Sequence, residues 1–368
     1  MNITKLVLTG GPCAGKTTAL EFLADRLRAS GYYPLIVHEA ATAVLSTGLT
    51  YLDANGDWFP FQRAVIQQII SSEDILEQTL RRLSYARPIL ICDRGIMDSK
   101  AYMTASQFQR VIEACGLRHP AKIRNGRYDA VIHMRSTAIG AEEFYSSKTN
   151  VHRRETIAEA TVADERTLAV WLGHQHLAVV GNTYGDFAGK LEAVWKSACR
   201  LLGIPKPREI EKKFLVEPVD FTALGIPHET VDIEQYYLEL PDQEKEVIAR
   251  IRSWGKNGAE THTFTQKRTI VPGEVEEIEE HISEMVFAQY TKYQKRGTIP
   301  LCKRRTCFVY NDQYFMYDEF LTGRPGLMLL EIELESQESN VTLPPFVRVR
   351  KDVTLKREYS NSMIAVSA

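Results

Sequence analysis

The sequence predicts an α/β domain, with a parallel sheet and flanking helices, followed by a mainly antiparallel β domain. Three observations carry this reading. Up to Leu202, short apolar runs alternate with longer helix-type segments. From Glu209 onward, short runs alternate apolar and polar residues between turn signals. Between them lies Gly203-Ile204-Pro205-Lys206-Pro207-Arg208, whose two prolines disfavour helix and set an extended connector. The expected divisions are 1–202, a linker 203–208, and 209–368.

In the first half, the apolar runs 5–9, 35–37, 89–92, 130–134 and 177–180 predict buried strands. Segments 17–29, 61–83 and 157–172 predict helices crossing between them. In the second half the turn signals are Gly255-Lys256-Asn257-Gly258, Pro272-Gly273 and Asn311-Asp312. With 368 residues, 44% hydrophobic and 25% charged, each half can bury a core, and whole-chain disorder is excluded.

Lys and Arg total 45 against 47 Asp and Glu, so no global charge draws the chain to nucleic acid or an anionic membrane. The six cysteines show neither C-x-x-C nor zinc-finger spacing, which points to a reducing compartment. The start, Met1-Asn2-Ile3-Thr4-Lys5, lacks a basic-then-apolar leader, and no apolar stretch is long enough to span a bilayer. The expectation is a cytoplasmic protein with no membrane partner.

The segment Gly10-Gly11-Pro12-Cys13-Ala14-Gly15-Lys16-Thr17 fits G-x-x-x-x-G-K-[ST] and lies between an expected strand and an expected helix. Glycines let backbone N–H groups wrap a phosphate, and the helix N-terminus adds its positive dipole end. Lys16 reaches the outer phosphates, Thr17 can ligate Mg²⁺, and Thr18 extends the cradle. ATP or GTP is the expected ligand. Asp93 and Glu39 each end an apolar run, where such sheets bind ligands. Asp93 suits a metal or a base. Arg153 and Arg154, before a helix, suit contact with the phosphates. His174 and His176 stand two apart, point in different directions on a helix, and read as structural.

The second half carries like charges at alternate positions: Glu209-x-Glu211-x-Lys213, Arg250-x-Arg252, Glu277-x-Glu279, Lys303-x-Arg305 and Glu331-x-Glu333. In a strand these share one face, while Ile210, Phe214, Ile251, Ile278, Ile332 and Leu334 form the apolar face. Like charges side by side are destabilising unless something neutralises them. A divalent metal suits the carboxylate pairs and a polyphosphate suits the cation pairs; a solvated outer sheet face is the plainer alternative.

The first half resembles the P-loop nucleoside and nucleotide kinase-like ATPases, in particular a small AAA-like group. The matching residues are Gly10 to Thr17, Glu39-Ala40-Ala41-Thr42 and Asp93-Arg94-Gly95. In related nucleoside kinases a Glu after the second strand deprotonates the acceptor hydroxyl, a role the resemblance offers to Glu39. The second half resembles the CYTH, or triphosphate tunnel metalloenzyme, family. The matches run in order through Glu209-Ile210-Glu211-Lys212-Lys213, Arg250 and Arg252, Lys267, Glu277 and Glu279, Lys303 and Arg305, Asp318, and Glu331 with Glu333.

That resemblance implies an eight-stranded antiparallel barrel with a charged tunnel. It implies that Lys213, Arg250, Arg252, Lys267, Lys303 and Arg305 grip phosphates. It also implies that Glu209, Glu211, Asp318, Glu331 and Glu333 bind Mg²⁺ or Mn²⁺, with Glu277 and Glu279 as further ligands or as partners of the cations. Glu209 and Glu211 are then catalytic. The expected activity is hydrolysis of inorganic, nucleoside or thiamine triphosphate. An adenylate cyclase and a nucleotide-sensing module controlling the tunnel are the alternatives, and a 5′-triphosphate nucleic-acid end is a weaker substrate.

Overall fold

The computed structural model describes residues 3–53, 55–83, 85–145, 156–206, 208–241, 243–244, 246–271 and 274–367. Two compact units divide between Leu201 and Leu202. The first is built from β1 (Thr4–Gly10), α1 (Lys16–Ala29), β2 (Tyr33–Val37), α2 (Ala40–Ser46), α3 (Phe59–Leu83) and β3 (Pro88–Asp93). It continues through α4 (Ala105–Ala114), α5 (Pro120–Gly126), β4 (Ala130–Met134), α6 (Ile157–Ala169), β5 (Leu177–Val180) and α7 (Phe187–Leu202).

The five strands lie in the order β2-β3-β1-β4-β5, and every pairing is parallel. Helices on both faces explain why β1 and β3 read as continuous apolar runs: Leu6, Val7, Leu8, Ile89, Leu90 and Ile91 are all fully buried. The central strand β1 therefore delivers its C-terminal end, Gly10, beside that of β3, Asp93. The expected third helix ends at Ala169, because a turn at 170–173 breaks it before His174.

The second unit comprises β6 (Arg208–Glu209), β7 (Glu211–Val216), α8 (Phe221–Leu224), β8 (His228–Leu238), β9 (Val247–Gly255), β10 (Thr261–Val271) and β11 (Glu274–Ile282). Then follow α9 (Glu284–Tyr290), β12 (Leu301–Tyr310), β13 (Gln313–Phe320), β14 (Met328–Glu333), β15 (Val349–Asp352) and α10 (Asn361–Ile364). Arg208 pairs with Glu276, so it belongs to a strand rather than to the expected linker. The turn Asn311-Asp312 joins β12 to β13 with both residues at positive φ, as a tight two-residue hairpin requires. Pro272 and Gly273 lie outside the described residues.

The ten strands form one antiparallel sheet in the order β15-β7-β14-β13-β12-β8-β9-β10-β11-β6, where eight were expected. The extra count has a simple origin. β6 and β7 are successive parts of one extended segment separated only by Ile210. Its first part pairs with β11 and its second with β14, so backbone continuity joins the two ends of the ladder. Counting β6 and β7 together gives eight strands around a cylinder; the ladder itself is interrupted at Ile210, and β15 lies alongside β7.

Alternation then fixes two faces. Phe214, Leu330 and Ile332 pack outward with Phe221, Phe308 and Phe315, while Ile251 packs with Phe287 of α9. Ile278 departs from the expected covered face and is 50% exposed. The opposite face points inward and carries the charged residues.

Candidate functional site

The first unit places the glycine-rich segment between β1 and α1. Gly10 (φ 144°), Cys13 (φ 57°) and Gly15 (φ 85°) bend the loop back on itself. A Cβ on Gly10 would lie 2.0 Å from the Met134 carbonyl oxygen, so only glycine fits there. Lys16 Nζ folds over the loop, donating to the Gly10 and Gly11 carbonyls at 3.1 Å each. Burial, with Arg94 nearby, lowers its pKa to about 8. Thr17 and Thr18 are exposed at the start of α1.

Glu39 and Asp93 converge electrostatically on Lys16 but differ in state. Burial alone would raise the Glu39 carboxyl; Arg94 at 2.9 Å and Thr42 at 2.6 Å outweigh it and hold the pKa at about 2. Asp93 is raised, by burial first and by the repulsion of Glu39, and its Oδ1 is buried without a hydrogen-bond partner. Asp93 is thus the better proton acceptor of the two, and its bare oxygen suits a hard cation.

Two carboxylates absent from the sequence reading shape this site. Asp98 accepts from the Gly95 N–H at 2.7 Å and from the Thr9 hydroxyl. Asp164 of α6 accepts from the N–H groups of Gly11 at 2.8 Å and Ser136 at 2.9 Å, and from Arg135 at 3.0 Å. The burial of Ala160, Asp164 and Leu168 at four-residue spacing was the available signal. Arg153 and Arg154 lie outside the described residues. His174 is buried against the Tyr128 carbonyl at 3.0 Å, and its pKa falls to about 3 through burial, as a structural histidine should.

In the second unit, same-sign pairs on one strand are neutralised by opposite charges that share the inward face. Lys213 meets Glu331 at 2.9 Å and Glu211 at 3.1 Å. Arg305 grips Asp318 through two nitrogens at 2.6 Å each and reaches Glu331 at 2.5 Å. Lys303 meets Asp318 at 2.5 Å. Arg250 meets Glu277 at 2.8 Å, Lys267 bridges Glu209 and Glu277, and Thr265 donates to Glu279 at 2.8 Å. Glu333 lies opposite Glu211 in the ladder. Much of the neutralisation that the sequence reading assigned to metal and polyphosphate is therefore internal.

The site's protonation follows from this packing. Burial would raise Glu331, but Lys213, Lys303 and Arg305 hold it well below the usual carboxylate range. Burial, then Arg305, lowers Lys303 to about 8. Glu209 is raised, by burial and then by Glu277. Arg252 is the exception among the cations: burial and the adjacent Arg250 lower its pKa, no ion pair to it is found among the described residues, and its Nε is buried without an acceptor. Its guanidinium stacks over Trp254 at 5.8 Å.

The structure does not gather the expected metal ligands into one set; among the described residues no three His, Cys, Asp or Glu side chains group as for a metal ion. Asp318 and Glu331 already face cations. Gln235, Tyr237 and Thr263 also occupy the inward face. They were passed over because they carry no charge, although each shares the parity of a charged or core position.

Residues 5–187 match the AAA domain family. The match lies within the first unit. Over its C-terminal part the chain is similar to the inorganic triphosphatase NE1496, at 26% identity, covering 44% of this chain and 95% of that one with a TM-score of 0.32. It is also similar to the PH1819 protein from Pyrococcus horikoshii, at 20% identity, covering 35% and 80%, with a TM-score of 0.29. A Hippeastrum protein described as having a dominant triphosphatase activity is 16% identical, covering 35% and 81%, with a TM-score of 0.28. No helix among the described residues is long and apolar enough to cross a membrane.

Proposed function

We propose that the second unit hydrolyses small-molecule triphosphates, inorganic, nucleoside or thiamine, while the first unit binds ATP or GTP. The observation that carries this reading is Arg252: beside Arg250 it makes no ion pair among the described residues and its Nε is buried without an acceptor, so an anion fits there. Lys213, Arg250, Lys267, Lys303 and Arg305 stand on the same inward face in ion pairs, and an incoming phosphate chain would exchange carboxylate partners for phosphoryl oxygens.

Glu209 and Glu277 form the donor pair for Mg²⁺ or Mn²⁺, with Glu211 and Glu279 beside them. These are hard oxygens; Glu209 is raised first by burial and then by Glu277, and Lys267 joins the two. When bound, the metal supplies positive charge to the phosphate chain. In the first unit, Thr17 and the bare Oδ1 of Asp93 suit the same ion.

The protein's own part in the reaction is to hold the chain in line and exclude bulk water, so that water attacks the terminal phosphorus and diphosphate departs. The test is orthophosphate release by the full chain from a panel of triphosphates, with Lys16→Ala and Glu209→Ala beside it. Release that Glu209→Ala abolishes and Lys16→Ala spares supports the reading. Cyclic AMP and pyrophosphate from ATP, or no product from any triphosphate, defeats it.

A further inference from the structure

We propose that Gln235, assisted by Thr263, holds the water that attacks the terminal phosphorus, while Arg252 between them receives the phosphoryl oxygens. This rests on the hydrolase reading above. Three adjacent strands present these residues in one row: Gln235 of β8 lies opposite Arg252 of β9, which lies opposite Thr263 of β10. Directly opposed side chains on one face stand about 5 Å apart at Cβ. Gln235 is fully buried and Thr263 is 2% exposed.

The row is built and unsatisfied. The Gln235 amide lies against the Tyr237 hydroxyl, to which its Nε2 donates at 3.1 Å. Its Oε1 then accepts no hydrogen bond, and neither the Thr263 hydroxyl nor the Arg252 Nε–H has a partner. An unmade hydrogen bond in the interior costs about 1–3 kcal/mol, whereas an apolar residue of similar shape would cost little. Three such groups side by side call for a ligand.

Their chemistry specifies it. A phosphoryl group satisfies Arg252 and Thr263 but offers the Gln235 acceptor no proton. Water supplies two donors and two acceptors, so it can bind Gln235 Oε1 and Thr263 Oγ1 while its lone pair faces the phosphorus. GTPases use a glutamine in this way to orient water. As the water oxygen bonds to phosphorus, the bond from that phosphorus to the bridging oxygen breaks. The bridging oxygen keeps the electron pair and leaves with diphosphate; one water proton stays on the oxygen now bonded to phosphorus and the other passes to a phosphoryl oxygen of the same orthophosphate.

The test is steady-state orthophosphate release from tripolyphosphate by the full-length protein, with Gln235→Leu and Gln235→Glu. Leucine removes the acceptor, and kcat falls about 10- to 100-fold with KM within about threefold. Glutamate keeps an acceptor, the Tyr237 hydroxyl turning to donate to it, and kcat recovers to within about fivefold of wild type. If Gln235→Leu does not fold, Thr263→Val carries the same expected kcat loss. A raised KM with unchanged kcat, or equal loss in the leucine and glutamate variants, overturns the proposal. An active wild type with unaffected variants sinks this inference alone; an inactive wild type sinks it together with the hydrolase reading.

Discussion

The glycine-rich loop of the first unit and the interior of the second unit both concentrate positive potential, but with different materials. In the loop the charge comes from backbone N–H groups, a helix start and one lysine, and glycines set its shape. In the cylinder it comes from long side chains, nearly all of which already hold carboxylates of the same face. The loop can lose its lysine without losing its shape. The cylinder cannot lose one of these paired cations without leaving a carboxylate behind.

Arg305→Ala tests the cylinder's side of this contrast and should have the largest effect. It strips Asp318 and Glu331 of their shared guanidinium, and breaking a buried pair costs about 3–5 kcal/mol. Denaturant unfolding should show that loss, with triphosphate hydrolysis down at least about 100-fold. A variant as stable as wild type would show that the interior ion pairs are dispensable to the fold. Lys16→Ala comes next: ATP affinity should fall at least about tenfold, while stability stays within about 0.5 kcal/mol. A large destabilisation there would erase the distinction between the two sites.

The same contrast explains what could be read in advance. The loop was legible because its function is local: G-x-x-x-x-G-K-T fixes both shape and chemistry within eight residues. The inward charges were legible because strand parity assigns Arg250 and Arg252, or Lys303 and Arg305, to one face. Cross-strand register was not legible, and register decides that Arg305 meets Asp318 and that Arg252 meets Gln235. Asp164 escaped notice because it acts across 153 residues of sequence on Gly11. Glu39 was assigned from its strand-end position, but Arg94 and Thr42 fix its charge and leave Asp93 the better base.

Gly11→Ala sharpens the loop's side of the comparison at smaller scale. The new Cβ would lie 2.6 Å from Asp164 Oδ1, beside the hydrogen bond that Asp164 accepts from the Gly11 N–H. Either α6 or the loop must shift, at a cost of about 1–3 kcal/mol. ATP affinity should fall with stability, and tripolyphosphate hydrolysis should keep its wild-type KM. Unchanged thermal unfolding would show that α6 yields freely and that Asp164 does not fix the loop.

The smallest expected effect is shared by both sites and comes from pH. Lys16 and Lys303 each have a pKa of about 8, below the 10.5 of an unperturbed lysine. A bound phosphate favours the charged amine, so affinity should fall as pH rises through about 8, by at most about tenfold per unit for each lysine. Stability should move the opposite way. Between about 8 and 10.5 the unfolded chain binds more protons at these lysines than the folded one, so their contribution to stability rises with pH. Measuring ATP affinity, tripolyphosphate KM and the unfolding midpoint from pH 7 to 9.5 separates the two trends. Lys303→Met should flatten the KM profile and leave the ATP profile unchanged; parallel flattening of both would mean that the lysines do not titrate independently in their two sites.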